Sequence, residues 1–252
     1  MPQLKALLFD VDGTLADTEC DGHSIAFNQA FAEAGLDWKW DIALYGDLLQ
    51  VTGGKERIQF FIDRYQPNFT KPDGLTSFIA ELHKRKTHFY LALLQAGRIP
   101  LRSGVKRVIH EARHAGLRLA IVTTTTPENV TYLLQSTLGK DVLSWFDCIA
   151  AGDIVPKKKP APDIYDYALA QLQLKPDECL ALEDSENGLK AALAAGVPTI
   201  VTVNEYTKMQ DFSGALLVVA QLGEPEQPSK AAQANLDQTE YVTAHFLKEL
   251  VA

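Results

Sequence analysis

The sequence predicts an α/β fold in which a doubly wound parallel sheet carries an all-helical insertion after its first strand. Two observations lead to this prediction. Short, nearly continuous apolar runs alternate with segments of helical periodicity, which is typical of a parallel sheet covered by helices on both faces. A long stretch between the first two apolar runs contains helical patterns but no convincing strand. A Rossmann-like sheet of this kind binds its ligands at the carboxyl ends of its strands.

Each predicted element has its own signal. Strands are predicted at the short apolar runs Leu4–Phe9, Leu117–Val122, Cys148–Ala151, Leu180–Leu182 and Thr199–Val203. Helices are predicted where apolar residues recur with helical spacing, at Val105–His114, Glu128–Leu138, Asp163–Leu172 and Ser185–Ala195. Gly196 and Pro198 then end the last of these helices directly before a strand.

The insertion is predicted to occupy residues 17–94 as a separate helical domain, while residues 1–16 and 95–252 form the α/β catalytic core. Helical patterns within the insertion cover His23–Ala34, Lys55–Tyr65 and Leu75–Leu94. Glycines and prolines separate these patterns, and Pro100 suits a linker through which the chain returns to the sheet.

The pattern is weaker beyond Val203. There the sequence predicts a last strand at Ala215–Ala220, a polar linker at Glu224–Ala234 and a terminal helix at Leu236–Val251. The stretch Lys230–Ala234 is too short to count as low complexity. No internal repeat is evident.

Composition excludes several classes of protein. The 252 residues are 46% hydrophobic and 22% charged, which is ordinary for a folded globular protein of one large domain or one domain with an insertion. The 32 acidic residues exceed the 24 lysines and arginines by 8, so the average field repels nucleic acid and anionic membranes. An anionic ligand would therefore need a few local cations or a metal ion.

The cysteines and the apolar runs bear on the compartment. Cys20, Cys148 and Cys179 are widely spaced and form no CxxC motif, so we expect reduced thiols. No apolar stretch approaches the roughly 18–20 residues of a membrane span, and no signal peptide is evident. We expect a cytoplasmic protein, and a monomer as the default state.

The strongest chemical signal is the segment Asp10-Val11-Asp12-Gly13-Thr14, which follows the first apolar run. Two carboxylates at this spacing project from one strand end, and their mutual repulsion favours a bound cation or a shared proton. Mg²⁺ prefers such carboxylates together with substrate phosphate. A simple Asp-Gly turn is the alternative interpretation.

Three later segments complete a set. Thr123 and Thr124 follow an apolar run, Lys159 begins Lys-Pro-Ala-Pro-Asp, and Glu183 and Asp184 precede a predicted helix. Taken singly, each has an ordinary alternative: turn chemistry for Thr123, a solvated face for the lysine run and helix capping for the acidic pair. In this order, the four segments resemble the motifs of the haloacid dehalogenase superfamily of phosphohydrolases, over most of the chain.

The resemblance implies a role for each motif residue. Asp10 would attack phosphorus to form an aspartyl-phosphate, and Asp12 would act as general acid and then as general base. The donors to the transferring phosphoryl group would be the Thr123 hydroxyl, the Thr124 N–H and the Lys159 ammonium. The Mg²⁺ ligands would be Asp10, Asp12 through its carbonyl, Glu183 and Asp184.

The resemblance also implies that the insertion is a substrate-selecting cap. In the segment Val51–Arg57, Gly53 and Gly54 would let backbone N–H groups approach an anion, and Lys55 and Arg57 would add charge. A glycine turn with solvated charges is the alternative. This segment, with Asp17-Thr18-Glu19, His23, Asn28 and Lys84–Lys86, resembles the subgroup that contains β-phosphoglucomutase and the xylulose-1,5-bisphosphate phosphatase of the Calvin–Benson cycle.

We therefore expect a Mg²⁺-dependent phosphatase that converts xylulose 1,5-bisphosphate to xylulose 5-phosphate and so removes a Rubisco inhibitor. Arg57 and Lys55 would hold the distal phosphate, Glu19 and His23 would bind sugar hydroxyls, and Lys86 is a further candidate whose alternative is a solvated position. A β-phosphoglucomutase-type mutase is the first alternative. A catalytically silent binding or regulatory module is the second, and retention of every charged motif residue argues against it.

Overall fold

The structure is a computed structural model that describes residues 3–51, 53–227, 229 and 241–251. The chain divides into two compact units, one formed by Met1–Asp17 with Pro100–Ala252 and the other by Thr18–Ile99. We call the first the core unit and the second the helical unit. The predicted α/β class, with a helical insertion after the first strand, is confirmed.

The core unit is built on a parallel sheet. Its strands are β1 (Ala6–Phe9), β2 (Arg118–Val122), β3 (Cys148–Ala150), β4 (Cys179–Glu183), β5 (Thr199–Thr202) and β6 (Leu217–Val219). They lie in the order β3-β2-β1-β4-β5-β6, so the chain winds outwards in opposite directions from β1 and β4. The carboxyl ends of these two central strands therefore lie at the point where such sheets bind ligands.

The helices are, in chain order, α1 (Ser24–Glu33), α2 (Ile42–Leu48), α3 (Gly54–Tyr65), α4 (Leu75–Gln95), α5 (Val105–His114), α6 (Pro127–Leu138), α7 (Asp163–Leu172), α8 (Glu186–Ala194) and α9 (Ala244–Val251). The helical unit contains α1 to α4, and the core unit contains the others. Among the described residues, no helix combines the length and the apolarity that crossing a membrane requires.

Burial on both faces explains why the central strands read as continuous apolar runs. Every residue of β1 is fully buried, and Ala6 and Leu8 belong to a cluster with Ile164 and Ala168 of α7. Removal of each large apolar side chain from water stabilises the fold by about 1.5–3 kcal/mol. This packing fixes the strand ends from which the polar motif residues project.

An aromatic cluster forms the interior of the helical unit. Phe27 and Phe31 of α1 pack against Trp40, with ring centroids 4.6 and 4.8 Å from it. The side-chain amide of Asn28 donates to the Trp40 carbonyl at 2.9 Å and accepts from the Trp40 N–H at 2.8 Å. Asn28 therefore holds the backbone that carries this tryptophan, a structural task that the subgroup resemblance did not indicate.

Three sequence expectations need correction. Helix α2 was not predicted, because its 7 residues form only about two turns and show little periodicity. The Asp41 carboxylate caps it by accepting from the Leu44 N–H at 2.9 Å. Helix α9 begins at Ala244 rather than at residue 236, and residues 236–240 lie outside the described residues, as does Lys230–Ala234. Glu224 is not linker-like, since its carboxylate accepts from the Gly104 N–H at 2.9 Å and from Arg107 Nε at 3.0 Å.

Candidate active site

The candidate site begins at the carboxyl ends of β1 and β4. The register pairs Phe9 with Leu182, which places Asp10 level with Glu183, and the Asp10 N–H donates to the Leu182 carbonyl at 3.0 Å. Asp10, Glu183 and Asp184 are all buried, and one carboxylate oxygen from each lies within 4.8 Å of the others. Parallel pairing therefore brings together acids that lie more than half the chain apart.

Lys159 binds two of these carboxylates. Its ammonium donates to Asp10 Oδ1 at 2.7 Å, to Glu183 Oε1 at 2.6 Å and to the Val122 carbonyl at 2.9 Å. Burial alone would lower the pKa of Lys159, but Asp10 and Glu183 outweigh burial and raise this pKa above its ordinary value. Lys159 is therefore a firmly charged ammonium fixed between β1, β2 and β4.

One lysine cannot neutralise three buried carboxylates. Burial and the charge of Asp10 raise the pKa of Glu183 to about 7, against the opposing effect of Lys159. Burial and the neighbouring carboxylates also raise the pKa of Asp184 well above its usual range. Oxygen ligands clustered at this separation, with excess negative charge, fit a divalent cation. The three carboxylates can therefore hold such an ion, which would relieve their mutual repulsion.

Gly13 has a steric reason to follow Asp12. Its φ is +88°, and a Cβ built on it would lie 2.0 Å from Asp184 Oδ2, so no other residue fits there without displacing the carboxylate. The Gly13 N–H donates to the Ala16 carbonyl at 2.8 Å and closes the turn that carries the half-buried Asp12. The turn interpretation and the catalytic interpretation of this segment are thus compatible.

Thr123 and Thr124 occupy different environments after β2. Thr123 is 1% exposed, and its hydroxyl accepts from the Thr125 N–H at 3.3 Å, whereas Thr124 is exposed. Thr123 directly follows Val122, whose carbonyl binds Lys159. Its position next to the carboxylate cluster is therefore set by β2. The two lysines before Lys159 are exposed, as expected for a solvated run.

Three neighbouring residues of the core site were not singled out by the sequence. The buried Tyr165 hydroxyl donates to Glu183 Oε1, the same oxygen that binds Lys159. Asn204 Nδ2 donates to Asp184 Oδ2 at 2.7 Å. The cap of α8 is Ser185, which accepts from the Gly188 N–H at 3.2 Å, so the capping role considered for Glu183 and Asp184 belongs to their neighbour.

The helical unit contains a separate cluster of cationic groups. Lys86 is 8% exposed, and its ammonium lies 2.8 Å from His23 Nδ1 and 5.1 Å from the Tyr90 ring centroid. The His23 ring stacks on Tyr90 at 3.9 Å between centroids. Burial, Lys86 and Arg57 hold the pKa of His23 well below its usual range. The solvated alternative for Lys86 is wrong, because α4 turns this side chain into the unit.

Arg57 is 9% exposed and lies at the start of α3. Its guanidinium donates to the Tyr45 hydroxyl at 3.0 Å and to the Leu48 carbonyl at 3.2 Å, and the Tyr45 hydroxyl donates to Glu19 Oε2 at 2.5 Å. Glu19 and Arg57, both expected to bind substrate, are thus joined through Tyr45. Sequence reasoning missed Tyr45, because a single aromatic residue in an unpredicted helix carries no signal.

At the start of α3, neighbouring side chains leave no room for a Cβ on Gly53 or Gly54. Gly53 has a φ of +97°, and a Cβ there would lie 2.2 Å from Glu56 Oε2; a Cβ on Gly54 would lie 2.5 Å from the His83 ring. Lys55 is exposed and borders a surface groove with Gln59 and Phe60. Lys55 and Arg57 therefore have different environments, and Thr52 of the same segment lies outside the described residues.

Known proteins resemble this chain over most of its length. Residues 4–196 match the model of the haloacid dehalogenase-like hydrolases. The chain is 49% identical over 225 residues to a plasmid-encoded protein CbbY of Cupriavidus necator, covering 89% of this chain and 88% of that protein. It is 41% identical over 226 residues to a CBBY-like protein of Arabidopsis thaliana, covering 88% of this chain and 70% of that protein.

A solved structure adds a ligand-bound relative. A mutant of CbbY from Rhodobacter sphaeroides, crystallised in complex with xylulose-(1,5)bisphosphate, superposes with a TM-score of 0.73 at 46% identity, covering 86% of this chain and 94% of that one. The family match, the identities and the buried carboxylate cluster agree with one another. The chain belongs to the haloacid dehalogenase-like hydrolases.

Proposed function

We propose that this protein is a Mg²⁺-dependent phosphatase that converts xylulose 1,5-bisphosphate to xylulose 5-phosphate and so removes an inhibitor of Rubisco. The observation that carries the proposal is the buried cluster in which Lys159 bridges Asp10 and Glu183 beside Asp184. The bisphosphate complex of the relative that is 46% identical supports the choice of substrate.

The chemistry requires two displacements at phosphorus. An Asp10 carboxylate oxygen bonds to phosphorus as the bond to the sugar oxygen breaks, and Asp12 protonates the leaving oxygen. Water then attacks the aspartyl-phosphate, Asp12 accepts the proton from this water, and the Asp10 carboxylate is regenerated with free phosphate. Splitting one slow hydrolysis into two steps lowers the barrier of each.

Positioned donors stabilise the charge that develops on the phosphoryl oxygens. Lys159 is held for this role by its bonds to Asp10 and Glu183, and we assign the other donors to the Thr123 hydroxyl and the Thr124 N–H. Mg²⁺, bound by Asp10, the Asp12 carbonyl, Glu183 and Asp184, would supply further positive charge.

The second phosphate is assigned to the helical unit. Arg57 uses three of its donors for Tyr45, Leu48 and Val51, which fixes the guanidinium while leaving donor capacity for an anion. Lys86 adds a buried charge. We propose that these two groups, with Lys55 and the N–H groups of Gly53 and Gly54, bind the distal phosphate.

The sugar between the two phosphates would be bound by neutral and acidic groups of the same unit. The imidazole of His23 is kept uncharged near neutral pH by burial and by Lys86, and the Glu19 carboxylate is an acceptor. We assign hydroxyl groups of the substrate to these two residues.

A substrate comparison tests the proposal. Phosphate release is measured with xylulose 1,5-bisphosphate, with xylulose 5-phosphate and with p-nitrophenyl phosphate, and isomerisation of β-glucose 1-phosphate is measured in parallel. We expect kcat/KM to be highest for the bisphosphate, with one phosphate released per molecule. Isomerisation without accumulation of free phosphate would establish the mutase alternative instead. Absence of turnover with every substrate would favour the second alternative, a catalytically silent binding or regulatory module.

An arginine variant tests the role of the helical unit. Arg57→Met is expected to raise KM for xylulose 1,5-bisphosphate by about 10–100-fold, because a charge-assisted contact to phosphate is lost. The same variant leaves kcat/KM for p-nitrophenyl phosphate within about threefold, since this substrate has no second phosphate. Arg64→Met, at an exposed position of the same helix, is the matched control and should change neither value. Equal losses with both substrates would refute the assignment.

We also propose a cytoplasmic monomer. The buried thiols of Cys148 and Cys179 are compatible with a reducing compartment. Light scattering of the purified protein at several concentrations measures the oligomeric state directly.

A further inference from the structure

Arg102 lies at the point where the segment after β1 meets the ends of β5 and β6, and the mechanism above gives it no role. Its guanidinium, which can only donate hydrogen bonds, donates to four main-chain carbonyls and one hydroxyl. These acceptors are the carbonyls of Gly13, Thr202 at 2.8 Å, Val203 at 2.6 Å and Ala220 at 2.8 Å, and Thr202 Oγ1 at 3.0 Å.

The planar fork of the guanidinium makes this arrangement possible. Arginine presents five N–H donors in fixed directions, whereas lysine presents one ammonium on a flexible stem. The Arg102 main-chain N–H also donates to the Leu15 carbonyl at 2.8 Å. A single residue therefore holds two carbonyls of the turn after Asp12 and ties them to the backbone that follows β5 and β6.

The turn held by Arg102 contacts the carboxylate cluster directly. Gly13 lies between the two sides: its carbonyl accepts from Arg102, and its Cα packs so closely against Asp184 that a Cβ would lie 2.0 Å from Oδ2. Through the Gly13 carbonyl, Arg102 holds the Gly13–Thr14 peptide. Across the Gly13 Cα this adjoins the Asp12–Gly13 peptide, which contains the Asp12 carbonyl. A shift of this peptide would therefore move the proposed metal ligand, the proposed acid-base group and Asp184 together.

We propose that Arg102 is a positioning residue for the phosphatase chemistry, acting by fixing Gly13, and with it the adjoining Asp12 carbonyl, against Asp184. The inference rests on the proposed function and adds to it a residue outside the four motifs. None of the five acceptors of the Arg102 guanidinium belongs to Asp10 or Lys159, so Arg102 acts through the backbone of the turn.

The positive charge of Arg102 is an alternative explanation for any loss of activity in its variants, and the experiment must distinguish this charge effect from positioning. Arg102 also interacts electrostatically with Asp184 and Asp17, so a positive charge at this place is favourable in itself. Arg102→Lys keeps that charge but loses the fork, whereas Arg102→Met loses both. Positioning predicts that the two variants have similar defects; a charge effect predicts that only the methionine variant is impaired.

The matched control is Arg107 on α5, in the same unit. It too is largely buried and multiply bonded, to Glu224 at 3.0 Å, to Glu111 at 2.9 Å and to the Gly223 carbonyl at 2.6 Å, but none of these partners belongs to the candidate site. Arg107→Lys and Arg107→Met therefore report what loss of a structural arginine does to this unit.

The variants are compared by Mg²⁺ affinity from calorimetry, by kcat and KM for xylulose 1,5-bisphosphate, and by Tm. Both Arg102 variants are expected to weaken Mg²⁺ binding and to lower kcat by about 10–100-fold each, the range for residues that support metal ligands, with a much smaller change in KM. The Arg107 variants should lower Tm while leaving Mg²⁺ affinity and kcat near wild-type values.

Chemical rescue keeps the test decisive if Tm falls sharply. Added methylguanidinium is expected to restore kcat to Arg102→Ala and not to the equivalent Arg107 variant. Wild-type Mg²⁺ affinity in folded Arg102→Lys, or an absence of rescue in folded Arg102→Ala, would overturn the proposal. The affinity measurement needs no substrate, so failure of the positioning role is distinguishable from failure of the proposed substrate.

Discussion

The two units of this protein concentrate charges of opposite sign in their interiors. In the core unit, Asp10, Glu183 and Asp184 crowd around Lys159, and burial raises the pKa of two of these acids. In the helical unit, cationic side chains surround a histidine and hold its pKa low. The net charge of −8 therefore does not predict the sign of charge in either cluster, because each unit buries particular charged side chains at particular positions.

The difference also concerns what each cluster needs from a ligand. The core cluster has more negative charge than its lysine can balance, so it favours a cation. The cluster of the helical unit has buried ammonium and guanidinium groups, so it favours an anion.

Asp10→Asn is expected to have the largest effect. Loss of the nucleophile should lower kcat by about 10⁴-fold or more. Tm of the metal-free protein should not fall, because the substitution removes one of three crowded carboxylates. Phosphate release and a thermal melt in EDTA measure the two quantities. Turnover above a hundredth of the wild-type rate would contradict the nucleophilic role.

Lys159→Met should be the most destabilising single change at the core site. It leaves Asp10 and Glu183 buried without their ammonium, and breaking a buried pair in this way costs about 3–5 kcal/mol. The free energy of unfolding is measured by urea titration. Lys158→Met is the matched control: its ion pair with Asp153 is exposed, so we expect a change of at most about 1 kcal/mol. Equal effects of the two variants would refute the bridging role.

In the metal-free protein, the contribution of Glu183 to stability should decrease as pH rises from about 4.5 to about 7. The pKa of Glu183 is 4.5 for the free group and about 7 in the fold, so within this window the folded protein holds a proton that the unfolded chain has released. Each rise in pH then favours unfolding. The raised pKa of Asp184 acts in the same direction.

Thermal melts across this pH range measure the effect. Saturating Mg²⁺ should flatten the slope, because the cation replaces the proton as the partner of the carboxylates. Glu183→Gln should flatten it without Mg²⁺. The same dependence of Tm on pH in the metal-free wild type and in Glu183→Gln would contradict this contribution of Glu183.

Tyr165→Phe should have the smallest effect. It removes only the hydroxyl that donates to Glu183 Oε1, so the loss should be about 1–2 kcal/mol in stability and less than tenfold in kcat. The matched control is Tyr167→Phe, on the same helix at a partly exposed position. It should change neither the stability nor kcat. A kcat loss well above about tenfold would mean that Tyr165 takes part in catalysis directly.

The fold class and the motif residues of the core site can be predicted from the amino-acid sequence. Asp10, Thr123 and Glu183 each directly follow an apolar run, because a buried strand has to be apolar and the first polar residue after the run marks its end. Lys159 is instead identified by its Lys-Pro-Ala-Pro-Asp segment, and Asp184 by its place beside Glu183. Helical periodicity, which is also a local pattern, predicts α5 and α7 with their observed bounds, Val105–His114 and Asp163–Leu172.

The side chains that surround the motif residues could be identified only from the folded structure. Tyr165 and Asn204 each donate one hydrogen bond to an acid of the site, and Arg102 donates several to distant backbone, including the Gly13 carbonyl 89 positions away. Such a bond leaves no periodicity in the sequence, because it depends on one donor and one acceptor meeting after the strands have paired. For the same reason the sequence could name Lys86 but not its burial, which is set by the face that α4 turns towards α1.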